Sequence, residues 1–126
     1  MHKQLRLSRR EDFAKVYKYG KSAANHQFAV YYMTRAETEQ FRLGLSASKK
    51  IGNAVVRNRM RRVIKEIVRL RRESIVPHTD FIIIVRKPAV ELSYEQLDKS
   101  VVHVLKRAGL LVKPAAVGQA KPDGKR

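Results

Sequence analysis

The sequence predicts a small α/β sandwich, a sheet covered by helices, with elements in the order α-β-β-α-β-α. Three observations carry this. Val56, Met60, Val63, Ile64, Ile67 and Leu70 recur at three- and four-residue steps, the period of a helix with one apolar face. Phe28 to Thr34 is instead β-branched and aromatic, which favours a strand. Phe81 to Val85 (FIIIV) is a continuous apolar run, as in a central strand covered on both faces.

Taken in order, Ser8-Arg9-Arg10-Glu11 has capping-box spacing and predicts a helix running to about Tyr19 and stopping at Gly20. Phe13, Val16 and Tyr17 share one of its faces. Residues 21 to 27 read as a connection. In the strand from Phe28, Ala29, Tyr31 and Met33 face one side, and Phe28, Val30 and Tyr32 the other. Arg35 to Gln40 reads as a hairpin loop into a second strand, Arg42 to Ser48, with Leu43 and Leu45 facing the same way. The turn Lys49-Lys50-Ile51-Gly52-Asn53 then delivers the chain to the periodic helix. With the strand at Phe81 this makes a βαβ unit. A second capping box, Ser93-Tyr94-Glu95-Gln96, opens a last helix through Leu97, Val101, Val104 and Leu105 that ends at Gly109. Residues 1–112 are expected to form one domain, and residues 113–126 a basic, disordered tail.

Charge narrows the function. The 126 residues carry a net +17, and such self-repulsion is relieved most simply by a polyanion. Lys49 to Arg72 alone holds ten Lys/Arg against one acid, Glu66, a net +9. Asn58, Arg61, Arg62, Lys65, Arg69 and Arg72 fall opposite the apolar face. A solvated helix face normally mixes signs, yet only Arg62 and Glu66 are spaced as an i,i+4 pair. Clustered Lys/Arg on one helix face is the electrostatic footprint of a nucleic-acid binder. Arginine outnumbers lysine seven to three in this stretch, which suits bidentate phosphate and base contacts. An anionic membrane would also relieve the charge. There is, however, no apolar run of transmembrane length, no secretory segment after Met1 and no cysteine to lipidate. The absence of cysteine also excludes disulfides, thiolate metal sites and cysteine catalysis, and fits a cytoplasmic protein.

Catalysis by the chain itself finds no support. The eleven acids are dispersed, and the adjacent Glu11 and Asp12 sit at a helix start, where acids favour the dipole. His2, His26, His78 and His103 share no metal-ligand spacing, and Gly44 and Gly52 form no Walker loop. No catalytic residue and no metal ligand is therefore assigned. A DNA-reading helix-turn-helix is disfavoured, because a strand precedes the basic helix where a paired helix is needed. A structural RNA-binding protein, such as a ribosomal component, stays open.

The segment Ser46 to Arg59 (SASKKIGNAVVRNR), with Arg57-Asn58-Arg59 at its core and Arg61 and Arg62 after it, resembles the signature of the bacterial ribonuclease P protein subunit. The likeness extends to Asp12-Phe13, Val16-Tyr17 and Gly20, to Phe28 and Tyr31, to Phe81 to Ile84 and to Arg86-Lys87-Pro88. It covers roughly Leu5 to Lys106. The resemblance implies a left-handed central βαβ crossover, against the usual preference. It also implies that catalysis belongs to an RNA partner, which uses Mg²⁺ to cut the 5′ leader from precursor tRNA, with no small-molecule substrate. On that footing Lys49, Lys50, Arg57, Asn58, Arg59, Arg61, Arg62, Lys65 and Arg69 are expected to contact the ribonuclease P RNA. Phe13, Tyr17, Ser22 and Tyr31 are expected in the leader cleft. By spacing alone, Phe13 and Tyr17 read as core. The resemblance assigns them to stacking on unpaired bases, and the Tyr17 hydroxyl independently favours a wet edge.

Overall fold

In a computed structural model, which describes residues 5–112, three layers stack. The elements are α1 (Arg10–Tyr19), β1 (Lys21–Ala24), β2 (Phe28–Thr34), β3 (Arg42–Ser46), α2 (Ala54–Leu70), β4 (Thr79–Val85) and α3 (Tyr94–Arg107). The expected tail, residues 113–126, lies outside the described residues.

The sheet order is β1-β2-β4-β3. β1 and β4 run antiparallel to β2, and β3 runs parallel to β4. Two expectations fail here. The segment after Gly20 is a strand, with Lys21 to Ala24 paired to Tyr32 to Ala29. Small residues such as Ser22, Ala23 and Ala24 carry little strand propensity, so backbone pairing to β2 supplies what the side chains do not. Arg35 to Gln40 is not a hairpin loop, because β4 is inserted between β2 and β3. The isoleucine-rich β4 is buried on both faces and takes the centre, where pairing on both edges satisfies its backbone. The predicted β3-α2-β4 unit with parallel strands is present.

Period-two alternation builds two cores. Phe28 and Val30 of β2, and Phe81, Ile83 and Val85 of β4, pack with α2 and α3. Ile82 faces the other way onto Val16 of α1 and Leu7, with Phe13, Tyr31, Met33 and Ile84 around them. The fully buried Met60, Ile64 and Ile67 fasten α2 to the larger core, each worth about 1.5–3 kcal/mol.

The caps divide. Ser93 and Gln96 form the predicted box at α3. Ser8 forms none at α1, whose N-cap is Arg9 without a side-chain bond. The cause is upstream. Arg6 bridges to Leu43, and the Leu7 amide donates to the Leu43 carbonyl at 2.8 Å. That edge pairing holds the chain extended, and the helix starts one residue late. At its far end α1 closes on β2, and a Cβ on Gly20 would come within 2.5 Å of the Val16 oxygen and 2.6 Å of the Tyr32 oxygen.

Candidate nucleic-acid interface

The basic helix is built by two caps. The Ser48 hydroxyl accepts from the Lys50 amide at 3.3 Å, starting a 3₁₀ turn over Lys49–Ile51 that leaves both lysines exposed. The Asn53 side-chain Oδ1 accepts from the Val56 amide at 3.0 Å, so α2 begins at Ala54, ahead of the visible periodicity.

The two faces of α2 are nearly those the spacing predicts, with three corrections. Leu70 is 60% exposed, and Val68 is buried in its stead. The buried arc centres near Met60, Ile64 and Ile67, so Leu70 falls past its edge at the helix end. Arg72 lies beyond the helix in a 3₁₀ turn, Arg72–Ser74. Glu66 pairs with Arg69 rather than Arg62, accepting from its Nε at 3.0 Å and Nη2 at 2.7 Å. The Arg69 bond holds the Glu66 carboxyl below its ordinary pKa. The i,i+3 partner meets the carboxylate in a two-nitrogen fork, and Arg62, one turn earlier on the same polar face, makes no ion pair with it.

Arg71 is likewise committed, reaching Asp98 of α3 through Nη2 at 2.7 and 2.8 Å. Arg57, Arg59, Arg61 and Arg62 have no carboxylate partner among the described residues. Arg59, Arg62 and Asn58 are exposed, and Arg57, Arg61 and Lys65 half-buried. The Nε of Arg57 is buried without a hydrogen-bond partner. Arg61 donates to Asn58 Oδ1 at 3.1 Å and to the Ala47 carbonyl at 3.4 Å. Among the described residues the Asn58 NH₂ has no hydrogen-bond partner, and the helix start is served by Asn53.

The four residues expected in the cleft come together on α1 and the sheet. The Phe13 and Tyr17 rings are 6.4 Å apart, and Tyr17 meets Tyr31 edge-on at 5.1 Å. Ser22 is the register partner of Tyr31 on the next strand. Tyr17 is 40% exposed, and burial of the rest pushes its phenol up, partly offset by the Ser46 hydroxyl. The Phe13 ring lies over Gly44, where a Cβ would come within 2.5 Å of Cζ. Only glycine leaves room for that ring.

Of this row, Phe13 also lines a cavity of about 500 Å³, together with Arg6, Leu7, Ser8, Leu43, Leu45, Arg61 and Lys65. Phe13 of the aromatic row and two cations of α2 thus line one cavity. Among the described residues, no carboxylate lines it. An apolar wall beside unpaired cations suits a base and its phosphate. Arg6 is the residue that sequence reasoning missed. It lies outside the basic stretch from Lys49 to Arg72, and its edge pairing with Leu43 brings it here.

Among the described residues, no group of three or more His, Asp or Glu side chains is placed to hold a metal ion. No described helix is long and apolar enough to cross a membrane.

A sequence model described as Ribonuclease P matches residues 1–109. The Ribonuclease P protein component of Bacillus cereus (strain AH187) is 48% identical over 110 residues, 87% of this chain and 96% of that protein. That of Bacillus anthracis (strain CDC 684 / NRRL 3495) is also 48% identical over 110 residues, covering 87% and 92%. The Staphylococcus aureus RNase P protein superposes with a TM-score of 0.81 at 42% identity, over 85% of this chain and 97% of that one. The RNase P protein from Thermotoga maritima gives 0.75 at 30% identity, over 81% and 96%.

Proposed function

This chain belongs to the Ribonuclease P protein family, and on that premise we propose how it serves the ribonucleoprotein that matures tRNA. The free cations of α2, with Lys49 and Lys50, bind the ribonuclease P RNA. The row Phe13, Tyr17, Tyr31 and Ser22 receives the single-stranded 5′ leader of precursor tRNA. The observation that supports this most is the shared cavity, lined by Phe13 as well as by Arg61 and Lys65. A leader stacked on the row would lie next to the RNA held by α2.

Catalysis, in this reading, belongs to the RNA and its Mg²⁺. The protein offsets phosphate repulsion between two RNAs, which lowers the Mg²⁺ needed. Leader contacts that mature tRNA lacks favour substrate over product, and the reaction takes place in the cytoplasm.

The test is cleavage of a precursor tRNA by a ribonuclease P RNA at low Mg²⁺, with and without the protein, and by the protein alone. Cleavage only when both are present is the expected result. Cleavage by the protein alone would overturn the assignment of catalysis to RNA. Tight RNA binding without stimulation would instead indicate a structural RNA binder.

A further inference from the structure

We infer that Asp12 is a positioning residue for Phe13, holding α1 at one register on β3 through a cluster of ionic groups anchored inside the sheet. The anchor is Asp80 of β4, fully buried. It accepts from Arg42 Nε at 2.8 Å and Nη2 at 2.7 Å, and from Arg35 Nη1 at 3.2 Å. Arg42 and Asp80 are also register partners across the parallel β3-β4 ladder. Both guanidinium groups are therefore fixed by the sheet before α1 is considered. Asp12, itself buried, sits against the pair, with Oδ1 3.6 Å from Arg35 Nη1 and Oδ2 3.6 Å from Arg42 Nη1. Glu37 adds a carboxylate to Arg35 at the exposed rim.

What makes this a positioning device is the match between α1 and β3. Side chains on a strand alternate in face, so Arg42, Gly44 and Ser46 point to the α1 side. Arg42 meets Asp12, Gly44 lies under Phe13, and Ser46 faces Tyr17. Of these three rungs, only the first is ionic, and only it has a partner fixed from the far side. The glycine rung allows the ring close approach without directing it there. A slide of α1 along β3 would separate Asp12 from Arg42 and lift Phe13 off Gly44 together. At 3.6 Å the Asp12 contacts are electrostatic rather than close hydrogen bonds, and partial burial shields them from screening. The competing role for Asp12 is the one its sequence position suggests, an acid in the first turn favouring the helix dipole. That role would not depend on Phe13.

The inference rests on the reading that Phe13 contacts the leader, and the experiment separates the two. Holoenzyme is reconstituted from the full chain and a ribonuclease P RNA, and affinity is measured for precursor tRNA and for mature tRNA lacking a leader. The variants are Asp12→Asn, Phe13→Ala and the double variant. Phe13→Ala should lower the precursor-to-mature affinity ratio by about fivefold to hundredfold, the range of one lost stacking contact. Asp12→Asn should lower it by about three- to tenfold with affinity for the RNA subunit unchanged, and should add nothing in the Phe13→Ala background. An unchanged ratio, or an equal loss with and without Phe13, overturns the positioning role. Should Asp12→Asn fail to fold, Asp12→Glu keeps the charge and moves the carboxylate by one methylene. It should lower the ratio too, and an unaltered ratio in a folded Asp12→Glu protein overturns the inference. If Phe13→Ala leaves the ratio unchanged, the leader reading itself falls, and the inference with it.

Discussion

Two arginines on α2 have opposite consequences for RNA binding. Arg59 is exposed and has no carboxylate partner among the described residues, whereas Arg69 is tied to Glu66. Arg59→Ala should weaken binding to the RNA subunit and make the plot of log affinity against log salt shallower by about 0.7–0.9. Glu66→Gln should do the reverse, releasing Arg69 and steepening the slope by a similar amount. Filter binding across a salt series checks both. Tyr17 supplies a pH dependence. Burial raises its phenol pKa, so on alkaline titration the unfolded chain gives up this proton first. Stability from this group is therefore intact at neutral pH and falls once pH passes the unfolded value of about 10. Tyr17→Phe should flatten the alkaline loss in urea unfolding midpoints measured from neutral to alkaline pH.

The caps decide the behaviour of whole elements. Ser8 and Ser93 open the same capping-box spacing in sequence, but only Ser93 is used as a cap, and Asn53 caps α2 without such a box. Asn53 and Ser93 each accept a backbone N–H at the start of their helices, while Ser8 does not. Asn53→Ala and Ser93→Ala should each cost about 1 kcal/mol, and Ser8→Ala a few tenths at most. Thermal or urea unfolding reads the difference. The Asn53 variant should also weaken RNA binding, because it loosens the turn that presents Arg57, Asn58 and Arg59. The structure also explains why β1 escaped notice. Its residues, Lys-Ser-Ala-Ala, present an edge strand with no buried side chain, so no hydrophobic period marks it.

The 126-residue chain carries a net +17, and among the described residues the ionic clusters are partly buried and the cations mostly outside. Raising NaCl from about 10 mM to about 150 mM shortens the Debye length from about 30 Å to about 8 Å. Screening should relieve repulsion among the exposed cations more than it weakens the Asp12-Arg35-Arg42-Asp80 cluster. The urea midpoint of the free protein should therefore rise, and a midpoint that falls with salt would contradict this balance.

The three helices, the strands at β2, β3 and β4, the faces of β2 and the family were legible in the sequence, because each rests on local periodicity, turn chemistry or a contiguous motif. So were the residue types that face RNA in the proposal, since a one-signed helix face is visible without a fold. Only the tertiary structure decided that β4 separates β2 from β3, that Phe13, Arg61, Lys65 and Arg6 share a cavity, and that Asp12 closes a cluster with Asp80. The physical reason is common to all three. Strand order and buried ion pairs join residues far apart in the chain, and no local pattern records which distant partner wins.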